Sequence, residues 1–181
     1  MNTQAHVLPT YGRAPISAAR GEGSYLYDTE GRRYVDFCAG IATCSLGHCH
    51  PVLVEALCKQ AHELMHCSNL YAIPQQEELA ALIVEKIVGI PGRVFFCNSG
   101  AEGNEGIIKT ARRFGHRRPA ADGSARYEVI TFNKSFHGRT LGSMAATGQT
   151  KIQVEFDPLL VGFKYVDFND LEALRAAVSE V

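Results

Sequence analysis

Two short segments of the sequence carry residue types that could bind a phosphorylated ligand and an amino acid. The first is Asn98-Ser99-Gly100-Ala101-Glu102, which follows an apolar run and precedes a helical pattern. Where a strand enters a helix through small residues, backbone N–H groups meet the positive end of the helix dipole, and a phosphate can bind there. Ser99 and Glu102 also form an S-x-x-E capping box, so the segment taken alone favours a helix cap over a phosphate site. Both can hold at once, because a phosphate would use other N–H groups of the same turn.

The second segment is Phe136-His137-Gly138-Arg139. An aromatic ring such as Phe136 can stack on a flat heterocycle. The planar guanidinium of Arg139 can hold a carboxylate through two parallel hydrogen bonds. Phe136 could instead belong to the core, and Arg139 could pair with a structural acid. Together the two segments indicate a site for a flat phosphorylated cofactor and an amino acid.

The elements around these segments predict an α/β fold. Apolar runs predict short strands at 93–97, 127–132 and 161–166, with helices at 104–114 and at 169–181, the latter capped by its first residue. This alternation favours a parallel or mixed sheet with helices on its faces. Ligands of such sheets bind beyond the carboxyl ends of the strands, so both segments are expected to face one crevice. The helix at 104–114 is predicted to bury its apolar residues: Ile107, Ile108, Ala111 and Phe114.

The early part of the chain predicts a β-hairpin followed by a loop. Aromatic and aliphatic residues alternate at 24–28 and 32–37, on either side of a glycine-containing turn. The small residues of 39–48 could let the backbone approach a ligand, or could form a plain connector. Tyr71 lies in a later loop, where it could line a pocket or be half-buried packing.

Helix signals then mark the rest of the N-terminal half. Pro51 is expected to open one helix, and a second helix is expected to start near Pro74 and to end at Gly89. The predicted division is an N-terminal arm and hairpin at 1–50, followed by a second domain at 51–181.

Composition excludes several other classes of protein. With 46% hydrophobic residues, 20% charged residues and a net charge of −1, the chain has the balance of an ordinary globular protein, and we expect no nucleic-acid or membrane partner. No apolar run reaches the length of a transmembrane helix, and no secretion signal is evident at the start. We interpret the six cysteines as reduced thiols, and we expect no metal site because their spacing matches no zinc motif.

These motifs, with others along nearly the whole chain, resemble the class III family of pyridoxal-phosphate-dependent aminotransferases. The matching stretches are Tyr11-Gly12-Arg13-Ala14-Pro15-Ile16, Arg20-Gly21-Glu22-Gly23-Ser24-Tyr25-Leu26-Tyr27-Asp28, Asp36-Phe37, Gly40-Ile41-Ala42, Leu46-Gly47-His48, His50-Pro51, Phe96-Cys97-Asn98-Ser99-Gly100-Ala101-Glu102, Asn104-Glu105 and Phe136-His137-Gly138-Arg139-Thr140. The first two of these stretches favour the acetylornithine/ornithine branch of the family.

The resemblance implies a cofactor and the residues that bind it. The cofactor would be pyridoxal 5'-phosphate, with Gly100 and Ala101 binding its phosphate through backbone N–H groups and Ser99 nearby. Phe136 would stack on the pyridine ring, and His137 would lie close to that ring. The implied fold is the fold type I of these enzymes, represented by an N-terminal segment and the first part of the large mixed-sheet domain. On this resemblance, 1–50 would belong to the small domain, and 51–181 would be an incomplete large pyridoxal-phosphate-binding domain, truncated at its C-terminal end.

The resemblance also implies a substrate and a reaction. Arg139 would bind the α-carboxylate of the amino acid, and Tyr71 is a further candidate for substrate binding. The implied reaction moves the amino group of N2-acetyl-L-ornithine to 2-oxoglutarate in arginine biosynthesis, in a cytoplasmic homodimer. The same class contains ornithine, succinylornithine and 4-aminobutyrate aminotransferases, which stay open as alternatives, as does a non-catalytic cofactor-binding fragment.

The sequence departs from the family pattern in two respects. Gly103 and Gly106 stand where the family usually has alanine, so the helix behind the phosphate is expected to be weaker. No lysine matches the family's Schiff-base lysine, so we expect no catalytic residue in this chain, which would be a fragment inactive alone. The lysines are Lys59, Lys86, Lys109, Lys134, Lys151 and Lys164.

Overall fold

The computed structural model describes residues 6–178, which divide into two units. The first unit ends at Ile73, and the second begins at Pro74. This boundary falls later than the one proposed from the sequence, at 50/51, and the functional division of the chain stays a prediction.

The first unit contains a three-stranded antiparallel sheet. Strands β2 (Tyr25–Asp28) and β3 (Arg33–Val35) form the predicted hairpin, with Leu26 opposite Tyr34. A further strand that the sequence did not predict, β1 (Ala18–Glu22), pairs with β2 on its other edge. The hairpin is confirmed, and β1 gives it the third strand that a stable small sheet needs.

Buried Asp28 ties the hairpin turn together. Its carboxylate accepts hydrogen bonds from the Arg32 side chain (2.6 Å), from the Tyr34 hydroxyl (2.9 Å) and from the backbone N–H groups of Glu30 and Arg32. Burial opposes ionisation of the carboxyl, but these donors outweigh it and lower the pKa of Asp28 to about 2. The turn is therefore held by an ionised carboxylate.

A hydrogen-bonded pair of side chains links the end of the hairpin to the following loop. His48 Nε2 lies 2.7 Å from Asp36 Oδ2, and the His48 ring packs so closely on Gly21 that a Cβ there would lie 2.6 Å from it. The His48 hydrogen bond, followed by backbone N–H donors, lowers the pKa of Asp36. Between these residues lies α1 (Ala39–Ala42), a single turn whose four residues all have positive φ.

Two helices follow, with the predicted boundaries. Helix α2 (Pro51–Glu63) begins at Pro51 and completes the first unit. Helix α3 (Pro74–Leu82) opens the second unit and continues as a π-helical stretch, Ile83–Val88. Gly89 adopts φ 71° and ends that stretch, as expected of a left-handed C-terminal glycine.

The second unit is organised around a pair of parallel strands. Its remaining elements are α4 (Gly100–Arg117), β4 (Val129–Phe132), α5 (Leu141–Ala146), a 3-10 turn (Thr150–Ile152), β5 (Phe163–Val166) and α6 (Leu171–Ala177). Val129 pairs with Phe163 and Phe132 with Val166, so the predicted parallel arrangement is confirmed. Helix α5 forms the core of this unit, since four of its residues are buried: Ser143, Met144, Ala145 and Ala146.

Three predictions of local structure are wrong. Residues 93–97 form no strand, because a strand needs a hydrogen-bonded neighbour and none lies beside them within residues 6–178. Of the apolar face predicted for α4, only Ile108 is buried, whereas Ile107 and Phe114 are 68% and 58% exposed, since no element of the described chain covers that side. The cap of α6 is Asp170, whose carboxylate accepts from the Ala173 N–H, one residue later than expected.

Candidate functional site

The site predicted from the sequence centres on the N-terminus of α4. Ser99 has extended backbone angles (φ −154°, ψ 159°), and its hydroxyl accepts from the Glu102 N–H at 3.2 Å. The Glu102 carboxylate turns back to accept from the Asn98 N–H. The capping interaction by Ser99 is therefore present, with the acid bonded to the residue before the cap.

Two amides remain available at this helix end. The N–H of Glu102 is used by the Ser99 hydroxyl, and the N–H of Gly103 donates to the Ser99 carbonyl at 3.0 Å. Within residues 6–178, no acceptor pairs with the N–H groups of Gly100 and Ala101. A Cβ added at Gly100 would meet no atom within 4 Å, so space is open there. An 18-residue helix thus presents two unpaired donors, its positive dipole end and room for an anion.

The second predicted segment lies in the loop between β4 and α5, and the first half of this loop is bonded to residues that follow α5. The Lys134 N–H donates to the Gly148 carbonyl at 2.7 Å, and the side-chain amide of Gln149 donates to the Ser135 carbonyl at 3.0 Å. Further along, the His137 N–H donates at 2.9 Å to the hydroxyl of Thr147, a fully buried side chain. These bonds to groups that follow α5 fix the loop without any ligand.

The two segments meet at a single close approach. A Cβ on Gly138 would lie 2.8 Å from Ala101 Cβ and 2.5 Å from Ser143 Oγ. Gly138 also has φ 129°, a conformation that side chains with a Cβ rarely adopt. Only glycine allows the loop to rest against the first turn of α4 in this way.

The second turn of α4 extends this contact on either side of Gly138. The Asn104 side-chain amide donates to the Gly100 carbonyl at 3.0 Å. This bond directs the Asn104 Oδ1 atom to His137 Nδ1, which lies 3.3 Å away. The Glu105 carboxylate accepts from the Thr140 hydroxyl and, at 3.1 Å, from the Ser143 N–H. Asn104 and Glu105 therefore hold the two ends of the 137–143 segment.

The structure brings most of the predicted site residues together and leaves others undecided. Ala101 adjoins Gly138, Gly100 is linked to His137 through the Asn104 side chain, and Ser99 caps the same helix end. The aromatic ring of Phe136 is 59% exposed rather than packed in the core, so one of its faces is accessible. Arg139 is exposed, beside this contact in sequence. Tyr71 belongs to the first unit and is 70% exposed, and its role in substrate binding stays a prediction.

The sequence reasoning missed the residues that hold the loop in place. It assigned no role to Asn104, Glu105, Thr140, Ser143 or Thr147, although Thr140 before an apolar stretch is a recognisable N-cap signal. The partners of Glu105 and Thr147 lie 35 or 38 and 10 residues away in sequence, respectively, and no local pattern encodes them.

Metal and membrane signals are absent from the described part of the chain. No group of three or more His, Cys, Asp or Glu side chains within residues 6–178 is arranged to hold a metal ion. No helix there combines the length and apolar character that crossing a bilayer requires.

Comparison with known proteins identifies the family. The family model described as aminotransferase class-III matches residues 8–180. The chain belongs to the class III aminotransferases. A curated relative, the acetylornithine aminotransferase of Caldanaerobacter subterraneus subsp. tengcongensis, is 54% identical over 175 residues, which are 97% of this chain and 43% of that protein.

Two solved structures show that the fold is that of fold type I aminotransferases. The ornithine aminotransferase of Toxoplasma gondii, described with partial occupancy of PLP at its active site, is similar with a TM-score of 0.85 and 30% identity, over 95% of this chain and 40% of that one. The N-acetylornithine aminotransferase of Stenotrophomonas maltophilia K279a gives 0.72 and 37%, over 91% and 38%. This class III aminotransferase chain therefore spans about two fifths of the length of the relatives it matches.

Membership of the class III aminotransferases implies pyridoxal phosphate as the cofactor, and the described residues fit its phosphate end. The cofactor carries a phosphate and a flat ring, and the second unit offers two unpaired amides at a helix terminus and an accessible aromatic ring in the adjoining loop. The positive end of the helix dipole favours a phosphate here, whereas the negative charge of the Glu102 carboxylate in the same turn opposes one. That carboxylate accepts a hydrogen bond from the Asn98 N–H.

Proposed function

We propose that this chain supplies the phosphate-binding part of an acetylornithine aminotransferase. In that enzyme the amino group of N2-acetyl-L-ornithine passes to 2-oxoglutarate, in arginine biosynthesis. The observation that carries the proposal is the pair of unpaired N–H groups of Gly100 and Ala101, held against the Gly138 loop in a class III aminotransferase chain. The choice of amino donor is supported by the 54% identity to a curated acetylornithine aminotransferase. Among the solved structures it is supported by 37% identity to an N-acetylornithine aminotransferase, against 30% to an ornithine aminotransferase.

Each residue of the site then has a defined task. The Gly100 and Ala101 N–H groups hold the phosphate, with the Ser99 hydroxyl keeping the helix end in shape. The Phe136 ring stacks on the cofactor ring, and His137 lies beside it. When bound, pyridoxal phosphate supplies the electron sink that amino-group transfer requires.

Arg139 is proposed to orient the amino acid. Its guanidinium can donate two parallel hydrogen bonds to the α-carboxylate, a geometry that lysine cannot reproduce. The same carboxylate is present in ornithine and succinylornithine, so those substrates stay as alternatives, with 4-aminobutyrate as a further one. Comparing the binding of these amino acids to the cofactor-loaded chain by calorimetry separates them, and an Arg139→Lys variant tests the carboxylate contact.

The Gly100→Pro substitution tests the phosphate site directly. Gly100 is the first residue of α4, where proline is favoured, and Ser99 before it already has the extended backbone that a following proline requires. The substitution therefore removes one N–H donor and leaves the helix intact. Because a hydrogen bond to a charged group contributes about 1.5–3 kcal/mol, phosphate affinity is expected to fall about 10- to 100-fold.

Gly100→Ala is the matched control, since it adds a Cβ in the same open space but keeps the N–H. Titration with inorganic phosphate, followed through the amide NMR signals of Ala101 and Gly103, gives the dissociation constant of each variant. The difference between the Pro and Ala variants isolates the lost donor. Equal affinities in both variants contradict the proposed phosphate site.

We also propose that catalysis needs a Schiff-base lysine that this chain does not provide. None of the site residues proposed above is therefore a catalytic residue. The lysine nearest the loop in sequence, Lys134, precedes it with a φ of 63°. Lys164 lies on β5, bonded to the Glu128 carboxylate at 2.5 Å. The 181-residue chain is therefore expected to bind cofactor without turnover. Formation of glutamate that depends on acetylornithine, catalysed by the purified chain, contradicts this part of the proposal.

A homodimer in the cytoplasm completes the proposal. Helix α2 exposes apolar side chains, including Val54 (44% exposed) and Leu57 (70%), that a second copy would cover. Sedimentation at several protein concentrations tests for a second copy.

A further inference from the structure

The structure assigns to Glu105 the role of a positioning residue that sets the Phe136–Arg139 loop against the phosphate-binding amides of α4. This inference rests on the proposed function for its consequence in cofactor binding. Its geometric basis is independent of any ligand, because every contact that it uses lies between described residues of the second unit.

The Glu105 carboxylate acts as an extra cap for α5, provided by a different helix. Its Oε1 atom accepts from the Thr140 hydroxyl and, at 3.1 Å, from the Ser143 N–H. Thr140 is itself the N-cap of α5, and its hydroxyl lies 3.3 Å from that same N–H. A Cβ added at Gly142 would lie 2.6 Å from the carboxylate, so the backbone of α5 wraps closely around it. A negative charge at a helix N-terminus is stabilised by the helix dipole.

This contact fixes the far end of the loop. The near end is held to elements after α5, through the bonds of Lys134 and Ser135 with 148–149, and these bonds have no connection to α4. The position of the loop relative to the Gly100 and Ala101 amides is therefore set by three contacts with α4. They are the Asn104 contact with His137, the packing of Ala101 on Gly138, and the Glu105 clamp.

Glu105 is the strongest of the three contacts. The Asn104 contact is a single hydrogen bond at 3.3 Å, and the Gly138 contact is van der Waals packing. Only Glu105 makes two hydrogen bonds with a charged acceptor, which are stronger than neutral ones. Without it, the loop can shift relative to the amides while the amides themselves stay in place.

The inference predicts that Glu105→Ala separates two affinities that use different parts of the site. Inorganic phosphate contacts only the amides of Gly100 and Ala101, whereas pyridoxal phosphate also needs the Phe136 ring at the correct distance. In Glu105→Ala, the affinity for pyridoxal phosphate is expected to fall at least about tenfold more than the affinity for inorganic phosphate. Glu105→Gln keeps an oxygen that can accept from the Thr140 hydroxyl and the Ser143 N–H, so the ratio of the two affinities is expected to return most of the way to the wild-type value.

The test uses the full 181-residue chain and compares both dissociation constants in these variants and in a control, Glu172→Ala. Glu172 is exposed in the first turn of α6, away from the loop contacts described here. Hydrogen exchange at the His137, Gly138 and Ser143 amides, recorded without ligand, is expected to rise in Glu105→Ala and not in Glu105→Gln.

The possible outcomes separate this inference from the proposed function. If the wild-type chain fails to bind inorganic phosphate, the proposed phosphate site is wrong, and the exchange measurement still decides the role of Glu105. If both ligands weaken equally in Glu105→Ala, or if Glu105→Gln behaves like Glu105→Ala, the carboxylate does not position the loop through its hydrogen bonds. Unchanged exchange in Glu105→Ala overturns the inference outright.

Discussion

Replacing Gly138 with alanine provides the sharpest test of how the two segments meet. The residue is buried, has φ 129°, and faces Ser143 Oγ at 2.5 Å and Ala101 Cβ at 2.8 Å from the position of an added Cβ. Ordinary van der Waals contacts start at 3.4 Å, so the neighbours would have to move by roughly 1 Å. Neither can move easily, because Ser143 is fully buried and Ala101 belongs to the first turn of α4.

Two effects add in the Gly138→Ala variant. The left-handed backbone conformation costs an alanine about 1–2 kcal/mol relative to glycine. Overpacking against a buried neighbour adds about 1–3 kcal/mol. The expected loss is therefore about 2–5 kcal/mol of the free energy of unfolding, which for a typical urea dependence lowers the midpoint by about 1–3 M.

Two glycines of the same chain separate these effects. Gly123 has φ 85° with no atom within 4 Å of its added Cβ, so Gly123→Ala reports the backbone cost alone. Gly12 has open space and no positive φ, so Gly12→Ala is expected to leave stability unchanged within about 0.5 kcal/mol.

Urea unfolding of the three variants is measured by far-UV circular dichroism, since the chain contains no tryptophan to report by fluorescence. The expected order of stability is Gly12→Ala, then Gly123→Ala, then Gly138→Ala. If Gly138→Ala and Gly123→Ala unfold at the same midpoint, the loop does not rest on α4 as described.

Three further predictions concern the caps, the hairpin and the cofactor ring. Ser99→Ala removes the side-chain acceptor of the Glu102 N–H and is expected to cost about 1 kcal/mol in urea unfolding, whereas Ser99→Asp, which keeps an acceptor, should recover most of it. Asp28 has a folded-state pKa of about 2, below its unfolded value, so its stabilisation is complete above about pH 4 and is lost as the pH falls toward 2. In Asp28→Asn, the thermal unfolding midpoint should therefore depend less on pH over this range than it does in the wild type. Midpoint-against-pH curves that run parallel in the two proteins would refute the assignment. Phe136→Leu keeps an apolar side chain but loses the ring, so pyridoxal phosphate is expected to bind about 3- to 10-fold more weakly with inorganic phosphate unchanged, and an equal loss for both ligands would argue against stacking.

Local sequence signals predicted the parts of this molecule whose causes are local. The cap at Ser99, the proline that opens α2 and the glycine that ends the π-helical stretch depend on residues within one turn of each other. The hairpin followed from alternation across a short turn, and the parallel pairing of β4 with β5 followed from the order of strands and helices. The spacing and the resemblance also predicted that Gly100, Ala101, Phe136 and His137 belong to one site, and this stays a prediction.

Only the tertiary structure decided which long-range contacts form. The apolar run at 93–97 has the composition of a strand, but pairing depends on a neighbour that the local sequence does not specify. Similarly, the helical spacing of Ile107 and Phe114 predicts an apolar face without stating what covers it, and both remain exposed.

The segment Asn98-Ser99-Gly100-Ala101-Glu102 shows most clearly which contacts are local and which depend on the tertiary structure. By itself, the sequence determined that Ser99 caps a helix, because capping depends on residues three positions apart. The tertiary structure decided that Gly138 rests on Ala101 and that Glu105 holds the far end of the loop, since those partners lie more than 30 residues apart. Only folding brings such distant groups within hydrogen-bonding or van der Waals distance, and this sets the loop against the helix end at which we propose the phosphate site.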